Sequence, residues 1–307
     1  LSVFGQTENT RPNIILIFAD DLGYTDVGFN RPDDFPEEYG VIPTPQIDAL
    51  ASNGVIAKNA HVAHPFCGPS RAALLTGVYP HRICAQYNLP NNVEDTDGVT
   101  TSEKFFSKVL QENNYNTAAI GKWHVGVSND FIPNNRGFDY FFGMLGGGHQ
   151  YFESDYEAQY YNSVSNGNPV TNEYRVPLLR NQTYVAENEF SDAVDEDYLT
   201  DVLTDEAIAY INTNAPSADP FFMYLSYNAP HTPMHAKEEH LEKYKDHPRR
   251  KLAAMTWSLD ENIGKLIDKL KETNQLENTL IFFLSDNGGS PHSNTDNGPL
   301  KGFKGNN

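Results

Sequence analysis

Four short apolar runs that each end in charged or ligating residues, with helix-patterned segments between them, predict an α/β fold: a largely parallel central sheet flanked by helices. Buried parallel strands read as continuous β-branched and aromatic runs instead of alternating ones. NIILIFA (Asn13 to Ala19), NTAAI (Asn116 to Ile120), FFMYLSY (Phe221 to Tyr227) and TLIFFLS (Thr279 to Ser285) fit that description. The first runs into Asp20 and Asp21, the second into Gly121, Lys122, Trp123 and His124. The third runs into Asn228, Ala229, Pro230 and His231, and the fourth into Asp286 and Asn287. In open α/β sheets ligands bind beyond the carboxyl ends of the strands, so the four polar clusters are expected on one rim.

The helices follow in order. Pro45 to Asn53 is preceded by Thr44 as a cap. HPFCGPSRAALLTG, His64 to Gly77, is a loop that turns into a helix, with Pro69 suited to a first helical position and Gly77 to a C-terminal cap. Cys67 and Arg71 therefore lie near unpaired N–H groups and a positive dipole end, a place for an anion or for a reactive residue. Thr100 and Glu103 are spaced as a capping box for a helix from Thr101 to Asn113. Further helices are expected over Tyr198 to Asn212 and Arg249 to Thr273. RPDDFPEEYG, between Asn30 and Gly40, reads as a rim loop. Tyr151 to Glu196 is rich in Tyr, Asn and acidic residues with little periodicity, and reads either as an excursion over the rim that shapes access or as a solvated insertion.

A chain of 307 residues with 39% hydrophobic content can bury a large core, as one large domain or two moderate ones. With 22 Lys and Arg against 41 Asp and Glu, the formal charge of −19 repels nucleic acid and anionic membrane surfaces, so neither is expected as a partner. An anionic substrate would need a local cationic pocket working against that field. No apolar run approaches the ~20 residues of a membrane-spanning helix. The start, LSVFGQTENTRPN, lacks the charged opening of a signal peptide and is compatible with what remains after one is removed. Two cysteines cannot make a disulfide framework. Cys84 either pairs with Cys67 or is buried, and a structural role is favoured because Cys67 belongs to the helix-start motif.

Asp20, Asp21, Asp286 and Asn287 offer only oxygen donors, which suits calcium or magnesium better than zinc. Taken singly, the Asp pair also reads as a turn and helix cap, and DNGG as a glycine turn; their shared position at strand ends favours ligation. Arg71, Lys122, His124 and His231 would each pass alone for an ordinary surface residue. His231 and His235 are four apart, but Pro233 between them argues against the helical pair of a zinc protease.

CGPSRAALLTG resembles the signature of the formylglycine-dependent (type I) sulfatases, cysteine-x-proline-serine-arginine followed by threonine-glycine. The resemblance runs through FADDLG, PTPQIDALASNG, GKWHVG, GFDYFFG, APHTP, SDNGG and GFKG in the family's order, over nearly the whole chain. It implies an alkaline phosphatase-like fold and conversion of Cys67 to Cα-formylglycine by a formylglycine-generating or sulfatase-maturating enzyme. It further implies calcium held by Asp20, Asp21, Asp286, Asn287 and the modified Cys67. Arg71 would steady the aldehyde hydrate, and Lys122 and His124 would contact the formylglycine or the sulfate. His231 and Lys304 would bind sulfate and assist the leaving group. Lys301 competes for the lysine role, with the spacing of GFKG favouring Lys304, and His149 and Gln150 after the GGG run would contact substrate.

The chemistry implied is sulfate ester hydrolysis. One oxygen of a gem-diol, activated by the metal and by Asp286 as base, attacks sulfur, and the other later expels sulfate. Where the family usually continues into more of the main sheet and a smaller C-terminal subdomain, this chain stops at GFKGNN. The expectation is a single catalytic domain over 1–307 without that subdomain, with a rim insertion at 151–196. The same superfamily offers an alternative, a formylglycine-dependent phosphonate monoester hydrolase or phosphodiesterase. A sugar-binding protein with a dead catalytic fold is opposed by competent residues at every matched position. HPFCGPSR and GGGHQYF look like bacterial polysaccharide sulfatases, including those acting on carrageenans. With the acidity and a rim of Tyr, Trp and Asn, that implies a sulfated carbohydrate substrate and a secreted or periplasmic protein.

Overall fold

A computed structural model describes residues 11–89, 96–168, 173–185 and 198–306. The cleavage-remnant reading of residues 1–10, and the 169–172 and 186–196 parts of the rim insertion, lie outside them. Among the described residues the strands are β1 (Asn13–Ala19), β2 (Asn116–Lys122), β3 (Tyr140–Met144), β4 (Leu179–Arg180), β5 (Thr183–Tyr184), β6 (Phe221–Ser226) and β7 (Thr279–Ser285). They lie in the order β5-β4-β3-β2-β6-β1-β7. The run β3-β2-β6-β1-β7 is parallel throughout, while β4 and β5 close one edge antiparallel. The four apolar runs are thus four of the strands, and the sheet is largely parallel as expected, but TLIFFLS is not a fully buried strand: among the described residues β7 is an edge, with Leu280 and Phe282 exposed.

Both faces are covered, which explains why the central strands read as unbroken apolar runs. Ile15, Ile17, Met223 and Leu225 face a core shared with Leu203, Ala207, Leu259 and Ile263. Their neighbours Leu16, Phe18, Phe222 and Tyr224 face a second core with Ala72, Leu75, Trp123 and Phe138.

The helices are α1 (Pro45–Ser52), α2 (Cys67–Thr76), α3 (Phe106–Glu112), α4 (Glu153–Ser165), α5 (Leu199–Asn214), α6 (Glu238–Lys243) and α7 (Arg250–Glu272). Gly77 ends α2 in the left-handed region at φ 70°, the conformation its lack of a Cβ permits.

Several expectations need correction. Pro69 is the third residue of α2 and not the first, because the helix already begins at Cys67 after Phe66. The capping box at Thr100 does not form, and α3 starts only at Phe106. Arg136 collects the carbonyls of Val99, Thr100 (3.2 Å) and Glu103 (2.9 Å), holding this segment open. Thr44 does not cap α1, because its hydroxyl accepts from Gly28 N (2.8 Å) and reaches Asp48 (3.1 Å). Asp260 of α7 does so from a distance, accepting from the backbone N–H of Gln46 (3.0 Å) and Ile47 (2.9 Å). The 151–196 stretch is not merely irregular, since it contributes α4, β4 and β5. Cys84 neither pairs nor is buried: both cysteines are free, and Cys84 is exposed at the end of a short 3-10 turn.

β3 had no counterpart among the apolar runs. Its YFFGM is broken by Gly143, where a Cβ would stand 2.1 Å from the Gly121 carbonyl oxygen on β2. The glycine is therefore a condition of the strand pairing instead of a break in it.

Candidate active site

The carboxyl ends of four parallel strands and the first turn of α2 converge. β1 delivers Asp20 and Asp21, the latter turned sharply at φ 61°. β2 ends at Lys122 and leads into His124, also left-handed at φ 62°. The segment after β6 carries His231, and β7 leads into Asp286 and Asn287. All are buried, as are Cys67 and Arg71 of α2. Ligand atoms of Asp20, Asp21, Cys67 and His231 lie within 4.8 Å of one another.

Charges inside this cluster are matched one to one. Lys122 donates to Asp20. Arg71 grips Asp286 through Nε (3.0 Å) and Nη2 (2.8 Å), and its Nη1 reaches the Lys122 carbonyl (3.0 Å), Tyr224 and Ser226. Lys304 Nζ lies 2.8 Å from Asp21 Oδ1. It is brought there by a strap from Gly288 that is clasped by Asn297. The Asn297 carboxamide accepts from Gly289 N (2.7 Å) and donates to Gly289 O (3.1 Å), and Lys304 N bonds the same Gly289 O at 3.0 Å.

Burial alone would raise the Asp20 carboxyl, but Lys122, His231 and Arg71 together hold it below its ordinary value. Burial would lower the Lys122 ammonium, yet Asp20 and Cys67 hold it up. Burial and the neighbouring Asp20 push Asp286 up, against Arg71. Burial also raises the Cys67 thiol, with Lys122 opposing. The reactive-thiolate reading of the helix start therefore loses to desolvation. Burial, with Lys122 and Arg71 adding, keeps His124 well below its ordinary value and therefore neutral, and neither of its ring nitrogens has a hydrogen-bond partner. His231 Nδ1 is tied to the Thr232 carbonyl at 2.6 Å, so Nε2 is the nitrogen left for exchange, 3.8 Å from Asp21 Oδ2.

The donor set fits a hard cation. Asp20 and Asp21 of the clustered group offer carboxylate oxygens beside Asp286 and Asn287, and two buried oxygens here, Asp20 Oδ1 and Asn287 Oδ1, have no hydrogen-bond partner. The Asn287 amide nitrogen is committed to Asp21 (2.7 Å) and Gly288 O (2.8 Å), which assigns the free atom as the oxygen.

The structure separates the two lysines, since Lys301 is exposed while Lys304 sits on Asp21. His149 is fully buried with both ring nitrogens facing backbone carbonyls, Gln150 O at 2.9 Å and Val176 O at 2.7 Å; burial keeps the ring neutral, so its single N–H can bond only one of them, and neither nitrogen points to solvent. Gln150 is half-buried beside it. Sequence reasoning missed Tyr224 and Ser226 as partners of Arg71. The one signal was a serine and a tyrosine inside an otherwise apolar strand.

The sulfatase family model matches residues 12–307. The chain is 33% identical to arylsulfatase J of Mus musculus, over 98% of this chain and 46% of that one. Among solved structures, Ps i-CgsB matches with a TM-score of 0.88 and 48% identity, covering 96% of this chain and 62% of that one. Ps i-CgsB has also been solved in complex with k-i-k-neocarrahexaose. The PsFucS1 sulfatase from Pseudoalteromonas sp. matches with a TM-score of 0.74 and 30% identity, covering 96% of this chain and 59% of that one. The chain spans about half the length of the curated relatives it matches.

Proposed function

Because the chain belongs to the sulfatase family, we propose that it serves a sulfuric ester hydrolase acting on a sulfated carbohydrate, with Cys67 as the precursor of a Cα-formylglycine and calcium at the carboxylate cluster. Its similarity to Ps i-CgsB supports a sulfated galactan of the carrageenan type as the substrate class. The single observation that carries the reading is the placement of Cys67. It opens α2 at 2% exposure, within ligating distance of Asp20, Asp21 and His231 and among three cations.

A hydrated formylglycine supplies one oxygen to attack sulfur and a second through which sulfate is released, which neither serine nor cysteine can do. Asp20, Asp21, Asp286, Asn287 and residue 67 would hold calcium, which would supply positive charge against the sulfuryl oxygens. The chain's own residues do the rest. Lys122 and Lys304, each held on a carboxylate, offer further N–H donors to a sulfate oxygen. Neutral His124, with both ring nitrogens free, can donate to or accept from the group at position 67. Arg71, fully buried and doubly bound to Asp286, fixes the start of α2 and thereby residue 67. His231 exchanges a proton with the departing alcohol through Nε2.

Residues 1–307 are taken as one catalytic domain in this reading, with 151–196 as its rim insertion. Among the described residues no helix is long and apolar enough to cross a membrane. A secreted or periplasmic location, and a maturation enzyme as partner, belong to the proposal.

The full-length protein should be made with and without a formylglycine-generating enzyme, and the peptide containing position 67 weighed by mass spectrometry. The aldehyde form is expected to release sulfate from carrageenan oligosaccharides, and the thiol form to fold but remain nearly inactive. Thiol protein turning over at the full rate would overturn the formylglycine reading. Faster cleavage of matched phosphate or phosphonate esters would move the chain to the phosphorus-hydrolase alternative.

A further inference from the structure

The segment that carries His231 runs from Tyr227 to Lys237 with no helix or strand of its own. Its geometry is set by two buried tyrosines that play no part in the chemistry described above. Tyr151, fully buried, donates its hydroxyl to the carbonyl oxygens of Asn228 (2.8 Å) and His231 (2.9 Å). Tyr198 donates to the carbonyl oxygen of His235 at 3.0 Å. The two rings stack, with centroids 5.4 Å apart and planes 21° from parallel. Leu199 N donates to Tyr151 O at 2.7 Å, tying the two tyrosines through the backbone as well.

A single hydroxyl proton shared by two carbonyls requires both to converge on one point, so the Tyr151 oxygen fixes the separation of peptides 228 and 231. The turn between them is closed by His231 N donating to Asn228 O at 2.8 Å. The imidazole is tied to the same turn, because its Nδ1 bonds the carbonyl of Thr232, the peptide next to the one that Tyr151 holds. Rotation of the His231 carbonyl therefore carries the Thr232 carbonyl, and with it the ring. The consequence reaches Nε2, the nitrogen that faces Asp21.

We infer that Tyr151 is a positioning residue that orients His231 for proton exchange with the departing alcohol, acting through the backbone without touching the reacting atoms. The inference rests on the reading of His231 as the proton donor. A tyrosine that merely satisfied two buried carbonyls would stabilise the fold and leave the leaving-group dependence of the reaction unchanged.

The test compares the wild type, Tyr151→Phe, Tyr198→Phe and His231→Ala in the full-length matured protein, on aryl sulfates of graded leaving-group acidity and on an alkyl sulfate. Loss of a general acid lowers rates on poor leaving groups by roughly 10²-fold or more, and His231→Ala should show that graded loss. Tyr151→Phe keeps the ring and its stacking. It should lower kcat on the alkyl sulfate by about tenfold, with little change for the most activated aryl sulfate, as expected for a displaced catalytic group. KM should stay within about twofold, since substrate contacts are untouched. Tyr198→Phe should show no grading. Tyr151→4-aminophenylalanine, which restores an N–H donor, should recover the alkyl sulfate rate and keeps the test available if Tyr151→Phe folds poorly. A flat profile for Tyr151→Phe beside a graded one for His231→Ala overturns the inference alone. A flat profile for His231→Ala removes the proton-donor reading and the inference together.

Discussion

Replacing Arg71 by methionine, which keeps most of its volume and removes its charge, isolates the most deeply committed interaction in the cluster. Arg71 and Asp286 are both fully buried, and the guanidinium places two N–H groups on one carboxylate oxygen, at 3.0 and 2.8 Å. Removing one member of such a pair costs about 3–5 kcal/mol, because the remaining charge is left uncompensated. The Lys122 carbonyl loses its Nη1 partner as well, worth about 1 kcal/mol. A loss of about 4 kcal/mol or more is a large part of the ~5–15 kcal/mol that holds a typical domain folded. Urea unfolding in metal-free buffer at pH 7 should show it directly. Because burial already pushes the Asp286 carboxyl up, the variant can relieve the charge by binding a proton, so the penalty should shrink as pH falls. Asp286→Asn added to Arg71→Met should cost much less than the sum of the two single changes. A single-variant loss below ~1 kcal/mol, or simple additivity, would show that the pair does not hold the site as described.

Two further outcomes follow from the same geometry. Burial pushes the Asp260 carboxyl up to about 6 although it accepts backbone N–H groups of α1. A folded-state value above the unfolded one means that the folded chain binds the extra proton. Stability should therefore fall as pH rises from about 4 to about 6, by at most ~3 kcal/mol. Asp260→Asn should flatten that slope in denaturant titrations at stepped pH, and an unchanged slope would discard the assignment. Chelation should abolish sulfate release while lowering the unfolding midpoint by only about 5–10 °C, the effect of losing a ligand at ~100 times its Kd. Calcium should restore activity to the wild type and not to Asp286→Ala; full turnover in metal-free protein would sink the calcium site.

What was legible in the sequence was whatever depends on a strand being buried on both faces. NIILIFA and FFMYLS proved to be the central strands they read as, and their ends located the rim where Asp20, Asp21 and His231 meet, whereas TLIFFLS, read the same way, forms an edge with Leu280 and Phe282 exposed. What escaped depends on partners far away in the chain. The N–H groups at the start of α1 belong to Asp260, more than 200 residues on, so Thr44 gave a false cap. Thr100 and Glu103 have capping-box spacing, but Arg136 takes their carbonyls. His149 follows a glycine run that looks like a substrate loop, but its buried ring is turned inward, with its nitrogens facing the backbone carbonyls of Gln150 and Val176. Tyr151 lies inside the GGGHQYF stretch, but nothing in that pattern sets it apart from its neighbours. Its importance lies in which two carbonyls its hydroxyl reaches.

The charge pattern makes a last connection between sequence and site. A chain of formal charge −19 repels an anionic ester at long range, and the side chains of the cluster do not reverse this, since Asp20, Asp21 and Asp286 are each paired with one of Lys122, Lys304 and Arg71. The side chains alone therefore sum to about zero, and attraction for sulfate must come from charge added to them. A divalent ion at the oxygen donors would supply it, and the same ion would meet Asp20 Oδ1 and Asn287 Oδ1, the two buried oxygens left unpartnered. On this accounting the three cations keep the carboxylates buried and in place. The proposed ion would then give the pocket its sign, so removing it should silence the site long before it unfolds the protein.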